Sequence, residues 1–167
     1  MRPINFCIKL FFLLTLNGCN QNNNPVKPPE ITQLVLPKWT WVLLEKPQFK
    51  EKFTFELRIN PFYLQADFDK DGFLDMAILI KERKSGKAGL ALLRQGESGI
   101  VIYGAGRAAG FGGKNWDWLS AWKTESVLPA GANISHAGAV LILFPKDKIK
   151  NSSWLNWNGQ KWQWKAD

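Results

Sequence analysis

Between residues 38 and 167 the chain is a series of short apolar runs separated by turn-forming residues. Phe53-Thr54-Phe55-Glu56-Leu57-Arg58-Ile59-Asn60 alternates apolar and polar positions without a break, which predicts an eight-residue strand with one buried face, interrupted by Pro61. Trp39 to Leu44 fits a strand or a helix, and Pro47 is expected to end it either way. The runs Phe62 to Ala66 and Met76 to Ile80 flank an acidic turn and predict two antiparallel strands joined by it. Lys81 to Lys87 reads as a solvated turn. Strands are also expected at Leu90 to Arg94 and Ile100 to Tyr103, separated by Gln95-Gly96-Glu97-Ser98-Gly99, and at Ala139 to Phe144, stopped by Pro145. Asn158-Gly159 is a favoured pair for a two-residue hairpin turn, which would set Leu155 opposite Trp162 and Trp157 opposite Gln160. Leu155, Trp157, Trp162 and Trp164 then share a core face, with Trp154, Asn156, Lys161 and Gln163 on the other. The expected fold is mainly β, one antiparallel meander sheet with short helical segments.

The first eighteen residues have a different character. Arg2 gives a positive start, and Cys7 to Leu16 is apolar apart from Lys9 and Thr15. The run is too short to span a bilayer, so it reads as a signal peptide. Leu16-Asn17-Gly18-Cys19 resembles a bacterial lipobox, which implies that Cys19 is acylated and holds the protein to a membrane. Asn20, by the same resemblance, favours the outer membrane of a bacterial envelope. Residues 20 to 37 are polar and proline-rich, a tether that reaches roughly 25 Å as a flexible coil. The organisation expected is a lipoprotein signal peptide over 1–18, a lipidated cysteine and tether over 19–37, and one β-rich domain over 38–167.

Composition agrees with this division. At 167 residues, 46% hydrophobic and 13% aromatic, the chain can bury a core. Its 2 cysteines, Cys7 and Cys19, both lie outside the expected domain, so no disulfide supports it. Without residues 1–18 the chain keeps 20 basic side chains against 14 acidic, a net charge near +6. The lysines are scattered, which suits solubility, and nothing resembles a nucleic-acid module.

The stretch that carries chemistry is Asp67-Phe68-Asp69-Lys70-Asp71-Gly72-Phe73-Leu74-Asp75. A hard cation such as Ca²⁺ takes six to eight oxygens, and a short loop supplies them with carboxylates at positions 1, 3 and 5 and a backbone carbonyl at 7. Those positions are Asp67, Asp69, Asp71 and the Phe73 carbonyl, with Gly72 at the sharp turn. Ile78 stands where an EF-hand has its bidentate glutamate, which leaves Asp75 as the closing carboxylate. The alternative is an acidic turn whose aspartates hydrogen-bond their own backbone. Residues Ala66 to Ala77 resemble the loop of FG-GAP/VCBS repeats. That resemblance implies a calcium-binding strand-loop-strand with Asp67, Asp69, Asp71 and Asp75 as side-chain ligands. With one such loop and no internal repeat, a full propeller is not expected. The rest of the chain resembles, more loosely, small lipoproteins of Bacteroidetes-type bacteria.

Other candidates are weaker. The glycine-rich stretch Gly104 to Lys114 has Ala108 where a Walker loop needs glycine and Asn115 where it needs Ser or Thr, so it reads as a surface loop. His136 is the only histidine, and its neighbour Ser135 points away from it in a strand. The 9 tryptophans are mostly core by expectation. Asn115 is placed to cap a short helix with Trp116, Leu119 and Trp122 inward, which leaves Asp117 and Trp118 as the surface pair for ligand contact. The function expected is a non-enzymatic, lipid-anchored envelope domain with a protein or glycan partner. Its rival is an envelope hydrolase acting on polysaccharide or peptidoglycan, with acids such as Asp117 or Glu125 in a cleft.

Overall fold

The computed structural model describes residues 35–107, 112–126, 138–147 and 152–166. The expected signal peptide, Cys19, the tether up to residue 34, residues 108–111 of the glycine-rich stretch and His136 lie outside the described residues.

The chain is mainly β, and the strands form two antiparallel sheets where one was expected. Two short helices, α1 (Lys38–Leu44) and α2 (Pro47–Lys50), come first. α1 stops at Leu44, ahead of Pro47 as expected, and Pro47 then opens α2, since a proline at the first helical position has no helical hydrogen bond to lose. The first sheet holds β1 (Phe53–Phe55), β2 (Tyr63–Ala66), β3 (Asp75–Glu82), β4 (Ala88–Leu93) and β5 (Ile100–Gly104). The second is the meander β6 (Leu119–Glu125), β7 (Val140–Pro145), β8 (Ser153–Trp157) and β9 (Trp162–Ala166).

Strands β3 and β4 are buried on both faces. Ala77, Leu79, Leu90 and Leu92 point into a core shared with Leu119, Trp122, Leu141, Leu143, Leu155 and Trp162 of the second sheet. Met76, Ile78, Ile80, Ala91 and Leu93 point the other way, against Leu43, Leu44 and Phe49 of the helices. The order is helices, first sheet, second sheet. Each fully buried aliphatic side chain contributes roughly 1.5 to 3 kcal/mol relative to exposure, so this double-faced pair supplies much of the fold's cohesion. Leu36 is 7% exposed and belongs to the helix-side core, so packing begins ahead of Lys38.

Two expectations change in detail. The strand expected over residues 53 to 60 stops at Phe55, because Glu56 is buried and its Oε1 accepts the Arg58 N–H at 3.1 Å, turning the chain. Ile59 then enters the core between the sheets, whereas Phe53 packs on the helix side. Lys81 closes on Glu56 at 2.8 Å, and the Arg58 guanidinium donates to the carbonyls of Leu119 and Trp116. At the C-terminus the pairing is Trp157 with Trp162 and Leu155 with Trp164, two residues away from the expected register. The side chain of Asn158 accepts both the Gln160 and Lys161 N–H groups, which closes a four-residue loop and lets the Trp157 and Trp162 rings meet edge to face at 5.8 Å. A shift of two leaves every side chain on its expected face.

Gly159 sits at φ 94°, a conformation a β-branched residue adopts only with strain. Gly159→Val is expected to cost about 1 to 2 kcal/mol in urea unfolding. An unchanged midpoint would count against this turn geometry.

Candidate functional site

The acidic loop joins β2 to β3 as an antiparallel hairpin, with Ala66 paired to Asp75 across its base. Lys70 at φ 64° and Gly72 at φ 90° wind the loop tightly. Asp67 holds the winding together: its Oδ1 accepts the N–H groups of Lys70 at 2.6 Å and Asp71 at 3.2 Å, and its Oδ2 that of Gly72 at 3.0 Å. Asp71 accepts the N–H of Phe73 at 2.8 Å. These are the bonds of an acidic turn, and they also fix where the carboxylates point.

One carboxylate oxygen from each of Asp67, Asp69 and Asp71 lies within 4.8 Å of the others. Three acids this close repel one another unless a cation joins them or a proton neutralises one. Part of the compensation is internal. Arg94, just past β4, reaches Asp69 Oδ2 at 3.0 Å and Glu97 at 3.0 Å, and its guanidinium stacks on the Trp157 ring at 4.4 Å. The Asp69 side chain is 8% exposed, and its Oδ1 is buried with no hydrogen-bond partner among the described residues. Burial, and next the charge of Asp71, push the Asp69 carboxyl up, against the pull of Arg94. An all-oxygen donor set with one buried, unsatisfied carboxylate oxygen fits a hard cation such as Ca²⁺.

Asp75 occupies a different position from the other three. It is fully buried, and its two oxygens accept the N–H groups of Phe68 at 3.1 Å and Gln95 at 3.0 Å. It ties the loop to the β4–β5 turn and is not one of the three clustered acids. Burial is the main cause that pushes its carboxyl up to about 6, partly offset by those two N–H donors. Phe73 and Leu74 stand exposed at the tip, 56% and 53%. The loop is also fastened to the second sheet. Ala139 donates to the Asp67 carbonyl at 2.7 Å and Gly138 to that of Phe68 at 3.2 Å, while the buried Phe68 ring meets Trp162 edge to face at 5.7 Å.

The second expected site is rearranged. Residues 115–118 form a turn rather than a helix: Asn115 Oδ1 accepts the Ala88 N–H at 2.9 Å and the Asp117 N–H at 3.4 Å. Trp116, Leu119 and Trp122 are buried as expected, from the turn and β6. Asp117 is exposed and accepts from Asn115 Nδ2 at 2.8 Å. Trp118 is half-buried, donates its indole N–H to the Gly112 carbonyl at 2.9 Å, and packs against Trp116 and Trp164, so it braces the loop more than it offers a free face. Asp117 precedes β6 and Glu125 ends it, a separation of about 20 Å or more along an extended strand, so these two acids do not form a catalytic pair.

Sequence reasoning missed two features. Arg94 looked like the polar end of an apolar strand, and only the register brings it beneath Asp69. An open cleft of about 500 Å³ is lined by Tyr103 of β5 and by Lys161, Trp162, Gln163, Trp164 and Lys165 around β9. Its members come from different sheets, which no local pattern announces. No protein-family model, curated protein or solved structure matches the chain.

The Asp75 carboxyl yields a pH test. Its folded-state value of about 6 lies above the ordinary 3.8, so between those values the folded state holds more protons than the unfolded one. Stability in chelator should therefore fall as pH rises from about 4 to 6, by up to about 3 kcal/mol, and level off above. Asp75→Asn is expected to flatten that slope in urea unfolding across the same range. A wild-type curve that is level from pH 4 to 6 would contradict the assignment.

Proposed function

We propose that the chain is a lipid-anchored protein of the bacterial cell envelope, in which the hairpin loop at 67–75 holds a calcium-type cation and the domain acts as a non-enzymatic binding or structural module. The observation that carries the reading is the convergence of Asp67, Asp69 and Asp71 within 4.8 Å, with Asp69 Oδ1 buried and unpartnered. The resemblance of Ala66 to Ala77 to the FG-GAP/VCBS loop supports Ca²⁺ as the ion, with the Phe73 carbonyl as a further donor. Asp75 then serves chiefly to hold the loop in shape, since both its oxygens already accept backbone N–H groups.

Because the loop is bonded to residues 138 and 139 and its Phe68 packs on Trp162, a bound ion would stiffen the junction of the two sheets. That is a structural role. The partner reading rests on the open cleft beside Tyr103 and Trp164, whose aromatic rings suit the face of a sugar better than a flat protein surface. The lipid anchor and its outer-membrane address rest on the lipobox at Leu16 to Cys19 and on Asn20.

A ligand bound only by the folded state stabilises by RT ln(1 + [L]/Kd). A loop without the twelfth-position glutamate belongs with extracellular sites of Kd roughly 10⁻⁴ to 10⁻³ M. At ten times Kd the gain is about 1.4 kcal/mol, a rise of several degrees in Tm. Wild type is expected to melt higher in millimolar calcium than in chelator, and Asp71→Asn, which leaves the Asp69–Arg94 pair in place, to lose most of that response. Coincident wild-type curves would favour the acidic turn over the metal site.

The anchor has its own test. Cys19→Ser is expected to move the protein from the membrane fraction to the soluble fraction with its melting curve unchanged. Retention of that variant on membranes in high salt would refute lipidation at this residue.

A further inference from the structure

On the helix side of the first sheet, away from the acidic loop, a cleft of about 280 Å³ opens between the α1–α2 junction and β5. Its floor is apolar, made by Leu43, Phe49, Ile100 and Ile102. Three cationic side chains line it, Lys46, Lys52 and Arg107, and no acid does.

Two neighbouring acids are engaged elsewhere, and a third, Glu82, whose carboxylate lies against Gly106 beside Arg107, takes a hydrogen bond from Ser85 and is outside the lining. Glu45, next to Lys46, is engaged by Lys50, and Glu97, next to Ser98 of the cleft wall, is engaged by Arg94. Glu51 is exposed and outside the lining. Lys46 is held at the rim by a 2.8 Å hydrogen bond to the Ser98 carbonyl, which leaves two of its three donors available. The Arg107 guanidinium lies 5.6 Å from the centre of the Phe53 ring, a contact that holds its position without using its N–H groups. Among the described residues neither Lys52 nor Arg107 has a carboxylate partner.

We infer that this cleft binds a phosphate ester, with the phosphate oxygens met by Lys46, Lys52 and Arg107 and the ester's apolar part against the floor. Three cationic residues lining one cleft suit a multi-oxygen anion better than a lone carboxylate, and a guanidinium can donate two parallel N–H groups to it. The volume accommodates one such group with a short apolar substituent. The same chemistry belongs to a soluble phosphate ester and to the headgroup of an anionic lipid.

Phenyl phosphate is the probe, titrated calorimetrically into the Cys19→Ser chain at low ionic strength. Binding is expected, and the double variant Lys52→Gln/Arg107→Gln should weaken it at least about tenfold, since it removes two of the three cations that line the cleft. Lys161→Gln/Lys165→Gln, in the other cleft, should leave it unchanged. Both altered cleft residues are at the surface, and superimposable melting curves would establish that the double variant folds. Phosphatidylglycerol vesicles that bind and are displaced by phenyl phosphate would support a lipid headgroup; vesicles that do not bind, while phenyl phosphate does, would support a soluble ester. A wild type that fails to bind phenyl phosphate, or a double variant that binds it equally well, overturns the inference.

Discussion

The structure depends on the burial of β3 and β4 on both faces. A strand in an antiparallel sheet commonly keeps one face in water, and its sequence then alternates. Here Met76 to Ile80 and Leu90 to Leu93 are apolar at every position, so neither side tolerates water and each needs a cover. The helices cover one side and the β6–β9 sheet the other. The acidic hairpin, the cationic cleft and the aromatic cleft all sit at the margins of that arrangement, where the layers meet solvent.

Arg94 shows how margin and core interact. Its guanidinium is shared among Asp69, Glu97 and the face of Trp157, so one side chain from the first sheet partly neutralises the acidic loop and rests on the second sheet. A cation bound by Asp69 Oδ1 would leave Oδ2 to Arg94, and the two positive partners would occupy opposite sides of one carboxylate. The pair raises the repulsion felt by an incoming ion, yet it also keeps Asp69 oriented when none is present. The first effect would weaken such binding, and the second keeps the loop preformed.

Much of the architecture was legible because period and burial coincide. The runs at 63–66, 76–80, 90–93, 100–103 and 140–144 are strands, and the acidic turn joins two of them. Local pattern failed where a distant partner decided the outcome. Phe53 to Asn60 has a perfect strand period, but the buried Glu56 finds Lys81 and turns the chain. Asn158-Gly159 favours a tight turn, but the pairing of two indoles with the Asn158 side chain selects a wider one. Asp67, Asp69 and Asp71 were visible from spacing alone, whereas the separate duty of Asp75 follows from donors on Phe68 and on residue 95, twenty positions away. Membership of two sheets was not legible, since strand periods do not say which strands pair.

The break between β1 and β2 shapes how the molecule meets other chains. Both strands lie along the same side of β3, Phe53 to Phe55 against Ile80 to Glu82 and Tyr63 to Ala66 against Asp75 to Ile78. Between them the backbone leaves the sheet for residues 57 to 62 and carries Arg58 across to the second sheet. An intruding strand would find three ladder positions, a gap, and four more. A row of free donors and acceptors that short and interrupted is a poor template for intermolecular pairing, so this border of the sheet resists templated aggregation without any charged residue placed there for that purpose.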